Sequence, residues 1–152
     1  MSDPSPPAMP PPATSGDYAL EEQIGHLLRR VHQRATSIFL ARIGEPELTP
    51  TQWAALVKLR DTDGASQNHL GRLTAMDPAT IQGVVRRLED RKLIERAGDP
   101  DDRRRSLLKL SREGAALVDR LKANALAVSR ATLEPLDARE RAELLRLLRA
   151  LT

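Results

Sequence analysis

The apolar period of this 152-residue chain changes after Lys92, and that change narrows the folds open to it. Up to Leu88, apolar residues recur at three- and four-residue spacing, as one face of a helix requires. Residues 93–97 and 106–110 instead read as short strands. Between them lies Gly98-Asp99-Pro100-Asp101-Asp102-Arg103-Arg104-Arg105. Gly, Pro and clustered Asp favour chain reversal, so the pair reads as an antiparallel hairpin. Helical spacing resumes after Ser111. The expected fold is mainly α with one small β-hairpin.

Start and stop signals divide the helical part. Residues 18–43 carry Leu20, Ile24, Leu27, Leu28, Val31, Ala35, Ile38 and Phe39 at helical spacing, and Gly44, Glu45 and Pro46 end the run. Thr49 and Gln52 have the spacing of a capping box, with Pro50 at the first helical position. Trp53, Leu56, Val57 and Leu59 follow, to about Arg60, before Asp61, Thr62, Asp63 and Gly64 break the chain. Ser66 caps a short helix to about residue 75, anchored by Leu70 and Leu73. After a tight turn at Met76 and Asp77, Asp77 caps the next helix and Pro78 opens it. Beyond the hairpin, Ser111 caps a helix to about residue 133. Pro135 separates it from a last helix with Asp137 and Glu140 at capping-box spacing and Leu144, Leu145, Leu147, Leu148 and Leu151 behind them.

The central order is therefore helix, helix, tight turn, helix, hairpin: a winged helix-turn-helix. Ile81, Val84, Val85 and Leu88 give its third helix an inward face. Opposite them stand Pro78, Ala79, Thr80, Gln82, Gly83, Arg86 and Arg87. Small residues allow close approach to a major groove, Gln can pair with adenine edges, and Arg can pair bidentately with guanine. Ser66, Gln67, Asn68 and His69 can reach phosphates or base edges from the helix before. Arg103, Arg104 and Arg105 sit at the hairpin tip, where an arginine can enter a narrow minor groove. Asp99, Asp101 and Asp102 read as local turn caps that orient an arginine. The plain alternatives are a solvated helix face and a mixed-charge surface loop.

Composition supports regulation over catalysis. The formal net charge is +3, a weak pointer to an anionic partner. Without Cys there is no disulfide framework or thiolate site. His26, His32 and His69 lack metal-ligand spacing, and no nucleophile-elbow or phosphate-loop motif is present. No enzyme activity, metal or cofactor is expected. No stretch has the length and apolarity of a membrane span, and no secretory leader is evident, so a cytoplasmic location is expected. Residues 1–16 hold six prolines and no Lys or Arg, and read as a disordered tail.

Two motifs carry a family resemblance. Leu93-Ile94-Glu95-Arg96, Asp99-Pro100-Asp101-Asp102-Arg103-Arg104 and Leu108-Lys109-Leu110-Ser111 with Gly114 resemble the wing signature of the MarR family, with Ser111 in place of the commoner Thr. Leu48-Thr49-Pro50-Thr51-Gln52-Trp53 is similar to the family's opening of its second helix. The resemblance spans about residues 18–152. It implies a homodimer, with residues 17–45 and 111–152 as a helical dimerisation region and 46–110 as the DNA-binding domain. Bulk apolar faces on the outer helices point the same way. The partner implied is double-stranded DNA carrying a palindromic operator.

The resemblance also implies a repressor released by a small aromatic acid or phenol, bound between the dimerisation helices and the winged domain. Gly25-His26-Leu27-Leu28-Arg29-Arg30 is similar to a stretch in regulators of aromatic-acid catabolism. His26 and Arg30, one helical turn apart, suit a carboxylate or phenolate, with Arg34 a turn further on. Trp53 can stack on an aromatic ring. The same residues also read as an interface cluster and a core anchor. A ligand-independent architectural or anti-silencing DNA-binding protein is the alternative function.

Overall fold

A computed structural model describes residues 18–102, 104 and 106–152. The expected tail, and Arg103 and Arg105 at the hairpin tip, lie outside the described residues. Among these described residues, six α-helices and one two-stranded antiparallel sheet follow in the order α1 (Ile24–Arg42), α2 (Pro50–Thr62), α3 (Gln67–Leu73), α4 (Pro78–Asp90), β1 (Ile94–Gly98), β2 (Ser106–Leu110), α5 (Arg112–Thr132) and α6 (Ala138–Ala150). No helix among the described residues is long and apolar enough to cross a membrane.

The chain divides into two units, residues 1–33 and 34–152. In the first, the helix expected from residue 18 begins later. Leu20–Glu22 is a single 3-10 turn, and Gln23 is extended (φ −78°, ψ 129°) before α1 starts at Ile24. Leu20, Ile24, Leu27, Leu28 and Val31 are all exposed large apolar residues.

The second unit holds the core. Leu56 and Leu59 of α2, Leu70 of α3, Ile81 and Leu88 of α4, Leu108 of β2 and Leu121 of α5 are almost fully buried. Burying an aliphatic side chain contributes about 1.5–3 kcal/mol, so these residues hold the winged elements as one packed body. The caps form as their residue types dictate. Thr49 Oγ1 accepts from the Gln52 N–H at 3.3 Å while Gln52 Oε1 accepts from the Thr49 N–H at 3.2 Å. That reciprocal pair gives the side-chain oxygen of Gln52, a residue only 3% exposed, its hydrogen bond. Ser66, Asp77, Ser111 and Asp137 cap α3, α4, α5 and α6.

Several boundaries differ from expectation. α2 continues two residues beyond Arg60, because Asp63 takes the left-handed C-cap (φ 50°). α3 stops at Leu73, and the turn into α4 pivots on left-handed Ala75 (φ 53°). The β strands pair from Ile94↔Leu110 to Gly98↔Ser106. Ala65 adds a bridge to Leu108, with both backbone hydrogen bonds made, at 3.0 and 2.8 Å. This ties the start of the helix-turn-helix to the hairpin, a link no local sequence signal announced.

Candidate nucleic-acid interface

α4 has the two faces its spacing requires. Ile81, Val84, Val85 and Leu88 are buried, whereas Pro78, Ala79, Thr80, Gln82, Arg86 and Arg87 are exposed. Gly83 is half-exposed, with open space where a Cβ would stand. Among the described residues, neither Arg86 nor Arg87 forms an ion pair. Thr80 is less free than its sequence position implies. Its hydroxyl donates to Asp77 Oδ2 at 2.6 Å, and its N–H donates to Asp77 Oδ1 at 2.9 Å. These bonds, the hydroxyl's first, hold the Asp77 carboxyl below the usual carboxylate range. The cap's contribution is therefore complete above the ordinary carboxyl pKa and is lost as pH falls through the lowered folded value.

The preceding helix places Asn68 and His69 in solvent, with Ser66 and Gln67 half-exposed. Ser66 Oγ accepts from the His69 N–H at 3.3 Å. In the wing, Asp99 Oδ1 accepts from the Asp101 N–H, and Asp102 Oδ1 from the Arg104 N–H, both at 2.9 Å. These acids therefore shape the turn, and the Arg104 side chain is exposed. Arg96 of β1 donates from Nε to Glu89 of α4 at 2.6 Å, fastening the wing to the helix beside it.

A junction that sequence reading missed lies behind this surface. Glu45 was expected only as part of a helix stop. Its carboxylate instead accepts from Arg91 Nη2 at 2.6 Å and Arg120 Nη2 at 2.7 Å. Arg91 is the C-cap of α4 and Arg120 lies on α5, so one carboxylate joins the exit of α4 to α5. Only the presence of an acid after a helix-ending Gly was visible in the sequence.

The effector candidates lie in different units. His26, half-exposed, and Arg30, exposed, occupy α1 in the first unit. Trp53 lies in the second, half-buried against the core. Trp53 also lines an open groove of about 370 Å³ between α2 and α5, with Val57, Val118, Ala125 and Leu126 as its apolar surface. Arg60, Asp61, Asp119 and Lys122 supply its polar groups. Arg34 Nη2 donates to the Ala131 carbonyl at 3.4 Å, a link between α1 and α5.

Three helices in succession, an exposed basic face on the third and an antiparallel hairpin behind it define a winged helix-turn-helix of the kind that docks on DNA. Residues 47–105 match the MarR family. The chain is 42% identical over 138 residues to the HTH-type transcriptional repressor NicR of Pseudomonas putida, covering 91% of this chain and 87% of NicR. A crystal structure described as a probable transcriptional regulator of Pseudomonas aeruginosa superposes with a TM-score of 0.84 at 50% identity, over 88% of this chain and all of that one. Bordetella bronchiseptica BpsR, whose DNA binding is regulated by 6-hydroxynicotinic acid, superposes at 0.83 with 40% identity, over 90% of this chain and 97% of BpsR. The chain belongs to the MarR family of transcriptional regulators.

Proposed function

We propose that this protein is a repressor that binds a pseudo-palindromic operator as a homodimer and is released by a small aromatic acid. The observation that carries the reading is the outer face of α4. Gln82, Arg86 and Arg87 are exposed there on a helix whose opposite face is fixed in the core. Pro78, Ala79 and Thr80 open the approach to the groove. Ser66, Gln67 and Asn68 contact phosphates or base edges, and Arg103, Arg104 and Arg105 serve the minor groove, with Asp102 shaping their turn.

Homodimerisation accounts for the apolar residues left in solvent. Leu20, Ile24, Leu27, Leu28 and Val31, with Leu145, Leu147, Leu148 and Leu151 of α6, are exposed in one chain. Residues 17–45 and 111–152 therefore form the dimerisation region, and 46–110 the DNA-binding domain. Two copies of α4 then meet successive major grooves about 34–36 Å apart. The likeness to BpsR, whose DNA binding is regulated by 6-hydroxynicotinic acid, supports an aromatic-acid effector. Trp53, His26 and Arg30 are its proposed ligands. The effector acts only through its preference for a dimer whose α4 helices are misplaced.

The test is substitution on the two DNA-facing elements. Arg86→Ala is expected to weaken operator binding by ~1–3 kcal/mol and to relax base preference at one operator position, since a bidentate base contact is lost. Arg104→Ala is expected to weaken all sequences evenly and flatten the salt dependence. Binding isotherms at several salt concentrations separate the two effects. Unchanged affinity and selectivity in both variants would reject this docking mode.

A further inference from the structure

The ion pairs along the groove between α2 and α5 single out one residue. Four charged side chains line it: Arg60, Asp61, Asp119 and Lys122. Arg60 Nη2 donates to both Asp119 oxygens, at 2.9 and 3.1 Å. Asp61 faces Lys58 at 3.9 Å. Each acid of the groove therefore already has a cation. Lys122 forms no ion pair among the described residues. It projects from α5 on the same groove as Trp53, beside Val118, Ala125 and Leu126. An indole, aliphatic walls and one ammonium without an ion pair suit a flat ring bearing one negative charge.

We propose that Lys122 reads the carboxylate of an aromatic monocarboxylate whose ring lies against Trp53. This deepens the proposed function and rests on its aromatic-acid reading. Lys122 sets specificity by charge, since a neutral analogue of the same shape leaves the ammonium without its partner. Lys122 is exposed, so its replacement leaves the core untouched.

Trp53 is the chain's one tryptophan, and its fluorescence therefore reports this groove without a label. The full-length protein is titrated with 6-hydroxynicotinic acid and with the corresponding carboxamide. For the unaltered protein, the acid is expected to change Trp53 emission saturably and to bind about tenfold or more tightly than the amide, as a lost charge-assisted hydrogen bond implies. In Lys122→Met, acid and amide are expected to bind with similar affinity, while operator affinity without ligand is unchanged. Lys122→Arg is expected to retain preference for the acid.

Full discrimination in Lys122→Met, with acid still quenching Trp53, overturns the assignment but leaves the groove as the effector site. Discrimination lost in Arg30→Met and kept in Lys122→Met moves the carboxylate to α1 and likewise overturns it. Operator release by the acid with no Trp53 response places the effector elsewhere and overturns the groove assignment while sparing the aromatic-acid reading. If no aromatic acid binds or releases the operator, that reading fails and the proposal with it.

Discussion

Gly114→Ala is expected to destabilise the protein by ~2–4 kcal/mol, although alanine is the better helix former by about 0.5–1 kcal/mol. A Cβ at this position would collide with the Leu93 carbonyl oxygen and stand 3.0 Å from the Leu93 carbonyl carbon. Neither atom is free to yield. The Leu93 carbonyl accepts from the Ser111 N–H at 3.1 Å, and the Ser111 hydroxyl donates to the Lys92 carbonyl at 2.7 Å. Ser111 Oγ also accepts from the Gly114 N–H at 3.0 Å. The first turn of α5 thus lies directly on the chain leaving α4, and glycine lets the two backbones meet. Thermal unfolding followed by circular dichroism is expected to fall by about 5–15 °C, given the size of the domain. A midpoint at or above the unaltered protein's would mean that α5 and the entry to β1 do not meet this closely.

Glu45→Gln is the second large effect. The substitution keeps the shape and removes the charge that Arg91 and Arg120 share. The Glu45 side chain is 19% exposed and that of Arg91 is 26% exposed, so solvent screens the pair only in part. Nη1 of Arg91 is buried without a hydrogen-bond partner among the described residues, which makes the bond from Nη2 to Glu45 more important. Losing the carboxylate is expected to cost ~1–3 kcal/mol, below the value for a fully buried pair. Because Arg91 caps α4, operator binding is expected to weaken as well, although Glu45 makes no DNA contact in this account. A double-mutant cycle with Arg91→Gln is the check, and substitution effects that simply add would remove the junction from the mechanism.

What the sequence made legible was local. Thr49 with Gln52, Asp77 with Pro78, Ser111, and Asp137 with Glu140 all start helices as their chemistry directs. The inward face of α4 followed from period alone, and the hairpin from the change of period together with the Gly, Pro and Asp residues between its strands. Left-handed turns without glycine were not legible: at Ala75 and Lys92 (φ 53° and 56°) backbone hydrogen bonds close the helix ends, from the Met76 N–H to the Gly71 carbonyl and from the Leu93 N–H to the Leu88 carbonyl, and no glycine marks either position. The late start of α1 was also hidden, since Leu20 and Ile24 keep helical spacing across the extended Gln23. Contacts distant in sequence escaped altogether. The Ala65–Leu108 bridge, the Glu45 junction and the α2–α5 groove each join residues at least 40 positions apart. The outer residues of α4 were readable as a surface because their inward neighbours fix its orientation, whereas the groove needed two helices at once.

The most direct test of a ligand-switched repressor is a mobility shift with the protein's own upstream DNA, repeated with 6-hydroxynicotinic acid. The expected result is a complex confined to one palindrome, with two protein chains bound. Saturating acid is expected to weaken that complex roughly 30–150-fold, a coupling of about 2–3 kcal/mol. Broad, salt-sensitive coating of unrelated DNA, unaffected by any aromatic acid, would contradict the account.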